Sequence, residues 1–356
     1  MSSISPFLKS LISAPGISAH EAPVRQIIEE KWRPLVDDLS LSRLGSLHGL
    51  KRGRAQAPCP SLVLLAHMDA IGLVVTQIVD GFLSIAPIGG IDPRILPGTP
   101  VTVHATGNGI KELPGLVVQP AASLLPDSIG NGPVPLKHLF VDTGLPPRQV
   151  TELVQVGDLV AFATEPVELA AETISGHSLD NRASVAALTV CLEHLQGRAH
   201  AWDVWAIATV REEVGLHGAA TSTFQIQPGL AVAIDVTFGK GPGASDWQTV
   251  ALNSGPALGL GPNIHPALHK RFKELAEKLE IPFSLEVMPR GSGTDGMAAQ
   301  VSREGVPTMV ISIPLRYMHT PVEVVAYQDI ERTGRLLAEF VCSLEVNFTT
   351  KMIWDE

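Results

Sequence analysis

The feature that most constrains this chain is a stretch in its first half that interrupts an otherwise regular alternation of strand and helix patterns. Residues 70–164 hold 23 of the 60 glycines and prolines but only 11 of the 62 charged residues. The segment reads VVTQIVDGFLSIAPI, VTVHATG, LPGLVV and GDLVAFAT. These are short β-branched runs closed by turn residues, with almost no helical periodicity, which predicts a compact all-β unit.

On either side the pattern changes. Upstream, 19–32 places Val24, Ile27 and Ile28 on one side of a helix, and an apolar strand follows at 62–65. Downstream, helices at 181–195, 265–280, near Met297 and at 328–344 alternate with strands at 204–210, 230–234, 283–288 and 307–313. Such alternation predicts a three-layer α/β domain with a mostly buried mixed sheet. The chain therefore reads as an α/β domain of residues 1–69 and 165–356, with a small β-barrel-like domain of 70–164 inserted into it. The final NFTTKMIWDE reads as a loose tail.

Composition narrows the function classes. With 26 basic and 36 acidic residues the formal charge is −10, which argues against a general nucleic-acid binder. No apolar run approaches the ~20 residues of a membrane span, and no basic n-region precedes an apolar stretch at the start. Cys59, Cys191 and Cys342 are too widely spaced for a disulfide framework or a C-x-x-C knuckle. The expectation is a cytoplasmic protein without nucleic-acid or membrane partners.

Polar residues stand where the apolar strands end, and in α/β sheets ligand sites lie beyond the carboxyl ends of strands. LVLLAHMDAIG runs into His67 and Asp69; alone, His-x-Asp is better read as a turn histidine than as a ligand. In GHSLDNRASVAAL, Asp180 precedes a helix, and taken alone it reads as the cap of the free N–H groups. WDVWAIATVREEVGLHGA ends in adjacent Glu212 and Glu213, a repulsive pair that needs a cation, for which Arg211 is the simplest candidate. GLAVAIDVTFG closes on Asp235, and VPTMVISIPLRYMHTPVE leads into His319. Together His67, Asp180, Glu213, Asp235 and His319 offer two imidazoles and three carboxylates. Two divalent cations ~3.5–4 Å apart, bridged by one carboxylate, need about that set, with Glu212 to spare.

These motifs, with SAPGISAHEAPVR, IDVTFGKGP and GSGTDGMAAQVSREGVPT in the same order, give a chain that resembles the M42 family of co-catalytic metallo-aminopeptidases over essentially its whole length. The resemblance implies that His67 binds one metal with Asp69 orienting its ring, and that Asp180 bridges both ions. It further implies Glu212 as general base, Glu213 and His319 as ligands of the second metal, and Asp235 as completing the first. Two divalent ions per subunit follow, zinc or cobalt ahead of manganese, with peptides as substrates and a homo-oligomer, a dimer-built dodecamer, as the assembly. Thr320 and Gly296 stand where relatives often have Ser and Ala, and neither change removes a ligand.

Two other readings are consistent with parts of the pattern. A cellulase-like glycoside hydrolase would use a carboxylate pair, but its carboxyls flank a sugar bond ~5–9.5 Å apart, whereas Glu212 and Glu213 are neighbours. A non-catalytic metal-stabilised scaffold would have no use for Glu212. His177, His217, His265 and His269 read as surface or helix-end residues, the first two with a possible supporting part. Asp295 reads as a helix cap or a pocket residue, and Cys191 as a buried thiol.

Overall fold

The computed structural model describes residues 4–109, 111–129 and 132–352. The chain opens with helices α1 (Ser5–Ser13) and α2 (Ala22–Trp32) and strands β1 (Asp38–Leu41), β2 (Leu47–Lys51) and β3 (Ser61–His67). It continues through β4 (Gly72–Val79), β5 (Phe82–Ile88), β6 (Pro100–Ala105), β7 (Lys111–Val118), β8 (Phe140–Asp142), the short α3 (Pro147–Leu153) and β9 (Leu159–Phe162). Next come β10 (Val167–Leu169), β11 (Thr173–Gly176), α4 (Leu179–His194), β12 (Asp203–Thr209), α5 (His217–Ile226), β13 (Leu230–Phe238) and β14 (Ala257–Leu260). The chain closes with α6 (Pro266–Lys278), β15 (Ser284–Val287), α7 (Asp295–Gln300), β16 (Thr308–Arg316), β17 (Glu323–Ala326) and α8 (Tyr327–Ser343).

Two sheets result. The larger has the order β1-β2-β12-β3-β13-β16-β17-β11-β10, with β14 paired to β16 and β15 to β14. Its centre, β12-β3-β13-β16, is parallel and its flanks are antiparallel, apart from the parallel pair β14-β15. The smaller is a closed barrel in the order β4-β5-β8-β7-β6-β9.

The central strands are apolar on both faces because a helical layer covers each. On β3, Leu62, Leu64 and Ala66 belong to one buried cluster with α4 and α8, whereas Val63 and Leu65 join Ala219 of α5 and Ala299 of α7. Each Val- or Leu-sized side chain so buried contributes about 1.5–3 kcal/mol. Helix α4 is buried all round from Leu179 to Leu192, as a helix covered by both sheet and neighbouring helices must be. Polar side chains that enter this core find partners: Trp32 Nε1 donates to Thr189 Oγ1 at 2.8 Å. The barrel has its own apolar centre, built from Leu73, Val75, Leu83, Val101, Val103, Val141 and Val160.

Three features depart from the sequence reading. Residues 5–13, given no element there, form α1, whose Leu8 and Leu11 are fully buried. Among the described residues the barrel segment contains one α-helix, α3, and four short 3-10 turns. Residues 347–352 are not a loose tail: Phe348 and Met352 pack on the main core, Phe348 edge-on to Phe340, and Thr349–Lys351 form a 3-10 turn. Residues 353–356 of that segment lie outside the described residues.

Candidate metal centre

The site lies where β3, β12, β13 and β16 end, because a parallel sheet delivers the last residues of its strands to one edge. His67 ends β3 and Asp235 lies near the end of β13. Glu212 and Glu213 follow β12, and Asp180 opens α4 before its helical dihedrals begin. His319 follows β16 in the turn to β17.

Distances join these residues into one constellation. His67 Nε2 is 3.2 Å from Asp180 Oδ1, 3.8 Å from Asp235 Oδ1 and 3.9 Å from Glu212 Oε2. His319 Nε2 is 3.3 Å from Asp180 Oδ2 and 3.4 Å from Glu213 Oε2. Ligand atoms of His67, Asp180 and Asp235 fall within 4.8 Å of one another, and so do those of Asp180, Glu213 and His319. Asp180 is common to both groups, with one oxygen turned to each histidine. It accepts no helix N–H, so the capping alternative does not describe it.

Electrostatics mark the centre as short of positive charge. Burial, with Asp235, Asp295 and Glu213 nearby, raises the Glu212 carboxyl to about 10, and burial beside Asp180 raises Glu213 to about 7. Asp235 is pushed well up by burial and by Asp180. Burial works against a charge on His67, but Glu212, Asp180 and Asp69 outweigh it and hold its pKa high. His319 is raised to about 9, chiefly by its hydrogen bond to Asp180. Asp180 is lowered, because the two histidines outweigh its burial. Among the described residues, Arg211 makes no ion pair with Glu212 or Glu213. Divalent cations would offset this carboxylate excess, and the donor set of imidazoles and carboxylates fits them.

The supporting residues fix the geometry. His67 Nδ1 bonds the main-chain oxygen of Asp69 at 3.1 Å and lies 3.6 Å from its carboxylate, which leaves Nε2 directed at the centre. That carboxylate accepts the N–H groups of Glu212 at 3.0 Å and Glu213 at 3.3 Å and the Ser18 hydroxyl at 2.6 Å. Asp69 thus holds the Glu212–Glu213 turn as well as the ring. Ser178, Arg211 and His319 have φ of 62°, 56° and 60°, left-handed conformations that bulky residues adopt only when held by their surroundings.

Sequence reasoning missed Glu323. Its buried carboxylate accepts the N–H of Asp180 at 3.0 Å and that of His319 at 2.9 Å, so it ties the shared ligand to the outer one. An acid inside the apolar run VEVVA was the available signal. It missed Gly90 too: a Cβ there would lie 2.9 Å from His319 Nδ1, so this barrel loop packs against the site.

Asp295 is buried at the first turn of α7, where it accepts from Thr209 Oγ1 while Thr294 supplies the cap. His177 is buried edge-on to Phe162 rather than at the surface, and burial lowers it to about 3. His265 is the N-cap of α6. Cys191 is buried and free. No helix among the described residues is long and apolar enough to cross a membrane.

Comparison with known proteins agrees with this geometry. The family model described as M42 glutamyl aminopeptidase matches residues 45–336. The lysyl aminopeptidase of Pyrococcus furiosus is 32% identical over 333 residues, covering 92% of this chain and 94% of its own. Among solved structures, a TET aminopeptidase from a marine sediment archaeon superposes with a TM-score of 0.91 at 26% identity, with 98% of each chain covered. The Pyrococcus horikoshii TET1 peptidase, described as assembling into a tetrahedron or a large octahedral shell, does so at 0.82 and 30%, covering 96% of this chain and 100% of its own. A three-layer sheet with a closed barrel, a His and carboxylate cluster at the strand ends, and a family match over most of its length make this chain a member of the M42 aminopeptidase family and a peptide hydrolase.

Proposed function

We propose that the chain releases N-terminal residues from peptides with the help of two divalent cations and that Glu212 is the general base. His67, Asp180 and Asp235 would hold one ion; Asp180, Glu213 and His319 the other. The observation that carries this reading is the position of Glu212. It belongs to neither ligand group, yet its carboxylate faces the same centre, 3.9 Å from His67 Nε2.

Divalent cations at such a site acidify water and polarise a carbonyl oxygen. Glu212 takes the proton from the attacking water and returns it to the departing amine. Burial gives it the high proton affinity for this, and nearby dications would bring that affinity down towards neutrality. Asp69 keeps Glu212 and Glu213 in place through their N–H groups, and Glu323 does the same for Asp180 and His319. The acidic cleft also suits the free α-amino group that an exopeptidase must recognise. His and carboxylate donors suit zinc or cobalt, then manganese.

The remaining parts of the proposal concern organisation. Residues 1–69 and 165–356 would be the catalytic domain and 70–164 an inserted domain for self-association, giving a homo-oligomer in the cytoplasm. Leu116, Leu124 and Val156 of the barrel segment, 50%, 77% and 66% exposed, support such a contact. Glu212→Gln tests the chemistry: it should retain both cations by elemental analysis while kcat falls about 10²–10⁴-fold. A fully active variant would remove Glu212 from the base role.

A further inference from the structure

The cleft that contains the ligand groups is lined by one more carboxylate, that of Glu286. Its volume is about 480 Å³, and beyond His67, Asp180 and Asp235 it is lined by Phe238, Met297, Met318 and Glu286. None of the catalytic steps above uses Glu286.

Register explains how it reaches the cleft. Asp235 on β13 lies opposite Ser312 on β16, Ser312 opposite Ala257 on β14, and Ala257 opposite Ser284 on β15. Directly opposed residues share a sheet face, and so do residues two apart on one strand. Glu286 therefore points to the same face as Asp235, while its neighbours Leu285 and Val287 are exposed on the other. Between it and β16 stands Gly259, its partner on β14, which presents no side chain to block the carboxylate. The β13 face carries Thr237 next after Asp235.

Only neutral hydroxyls stand beside the carboxylate. Its Oε2 is out of contact with solvent, and neither it nor the nearby Ser312 Oγ is in an aligned hydrogen bond. Among the described residues no cation makes an ion pair with Glu286. Burial raises its pKa, whereas the Ser312 and Thr237 hydroxyls favour the ionised form. A buried carboxylate oxygen with no donor is costly unless something supplies one. The cleft walls also include Phe238, Met297 and Met318, which suit an aliphatic stem. A stem with a cationic tip fits both features.

We propose that Glu286 is a specificity-determining residue that receives the side chain of a basic N-terminal residue, lysine or arginine, of the peptide substrate. The inference rests on the aminopeptidase reading above. The α-amino group and scissile carbonyl would lie at the ligand groups, and the ammonium or guanidinium would meet Glu286, Ser312 and Thr237.

The test uses the metal-loaded full chain with Lys, Arg, Leu and Glu p-nitroanilides, in wild type, Glu286→Gln and Glu286→Asp. Wild type should cleave Lys and Arg best by kcat/KM. Removing a charge-assisted bond should lower the Lys/Leu ratio roughly 10- to 100-fold in Glu286→Gln. Glu286→Asp, which keeps the charge but withdraws it, should fall between the two. Preference of wild type for Leu or Glu overturns this inference and leaves the aminopeptidase reading standing. An unchanged Lys/Leu ratio in both variants also overturns it. Failure of wild type to cleave any of the four overturns both readings.

Discussion

The two halves of the candidate centre share Asp180 but differ in how they are held. His67 and Asp235 belong to central strands and are 2% and 6% exposed, packed between helical layers. Glu213 and His319 come from turns, and the His319 side chain is 34% exposed. A ligand on a central strand inherits the rigidity of the core, whereas a turn ligand depends on a few specific bonds, here those of Glu323 and Asp69. The inner half should bind its cation more tightly and exchange it more slowly than the outer half.

The strongest way to break this comparison is to remove what the halves share. Asp180→Ala should abolish binding of both cations, with kcat/KM falling by at least about 10³-fold. One fully retained ion in elemental analysis would show that the halves do not meet at Asp180.

His319→Ala separates them. It should leave the inner cation bound and reduce stoichiometry from two to one, with activity lost roughly 10²-fold. Loss of both ions would make the halves a single cooperative site.

Protons compete with cations in both halves, since His67 and Asp235 are raised as well, and the outer half is the easier one to follow. Without cations His319 titrates near 9 and Glu213 near 7, so at neutral pH the outer half carries protons that a cation must displace. Affinity there should rise with pH, by about tenfold or more between pH 6.5 and 8, as read by titrating metal-stripped protein. An affinity independent of pH would contradict these proton occupancies. The smallest effect is expected from Glu323→Gln, which keeps shape but weakens two bonds. It should cost the outer half about 10-fold in metal affinity and the inner half little.

Much of this was legible in the sequence. His67, Asp235 and the Glu212–Glu213 pair end apolar runs, and the fold brings strand ends together, so pattern and topology agree. Glu323 stood out only as an acid in an apolar run and Ser18 not at all, because what each does depends on a residue far along the chain, Asp180 and Asp69. The same holds for Glu286, which the pairing of β15 with β14 and of β14 with β16 brings to the Asp235 face. Helix α1 escaped notice because Ser and Pro at its start hid the apolar Leu8 and Leu11. The final residues escaped for a similar reason: Phe348 is an isolated aromatic in a polar run, and the Phe340 ring it meets belongs to the preceding helix.

The loop at Gly89 and Gly90 has a consequence for anyone wishing to build chimaeras. A Cβ at Gly90 would press on His319, and one at Gly89, where φ is +78°, would come 3.1 Å from a Glu213 oxygen. The barrel is therefore no transplantable module. Swapping it for another scaffold brings along a piece of the reaction chamber's wall, and a graft that keeps His319 in place must keep both glycines or cut the chain on their far side.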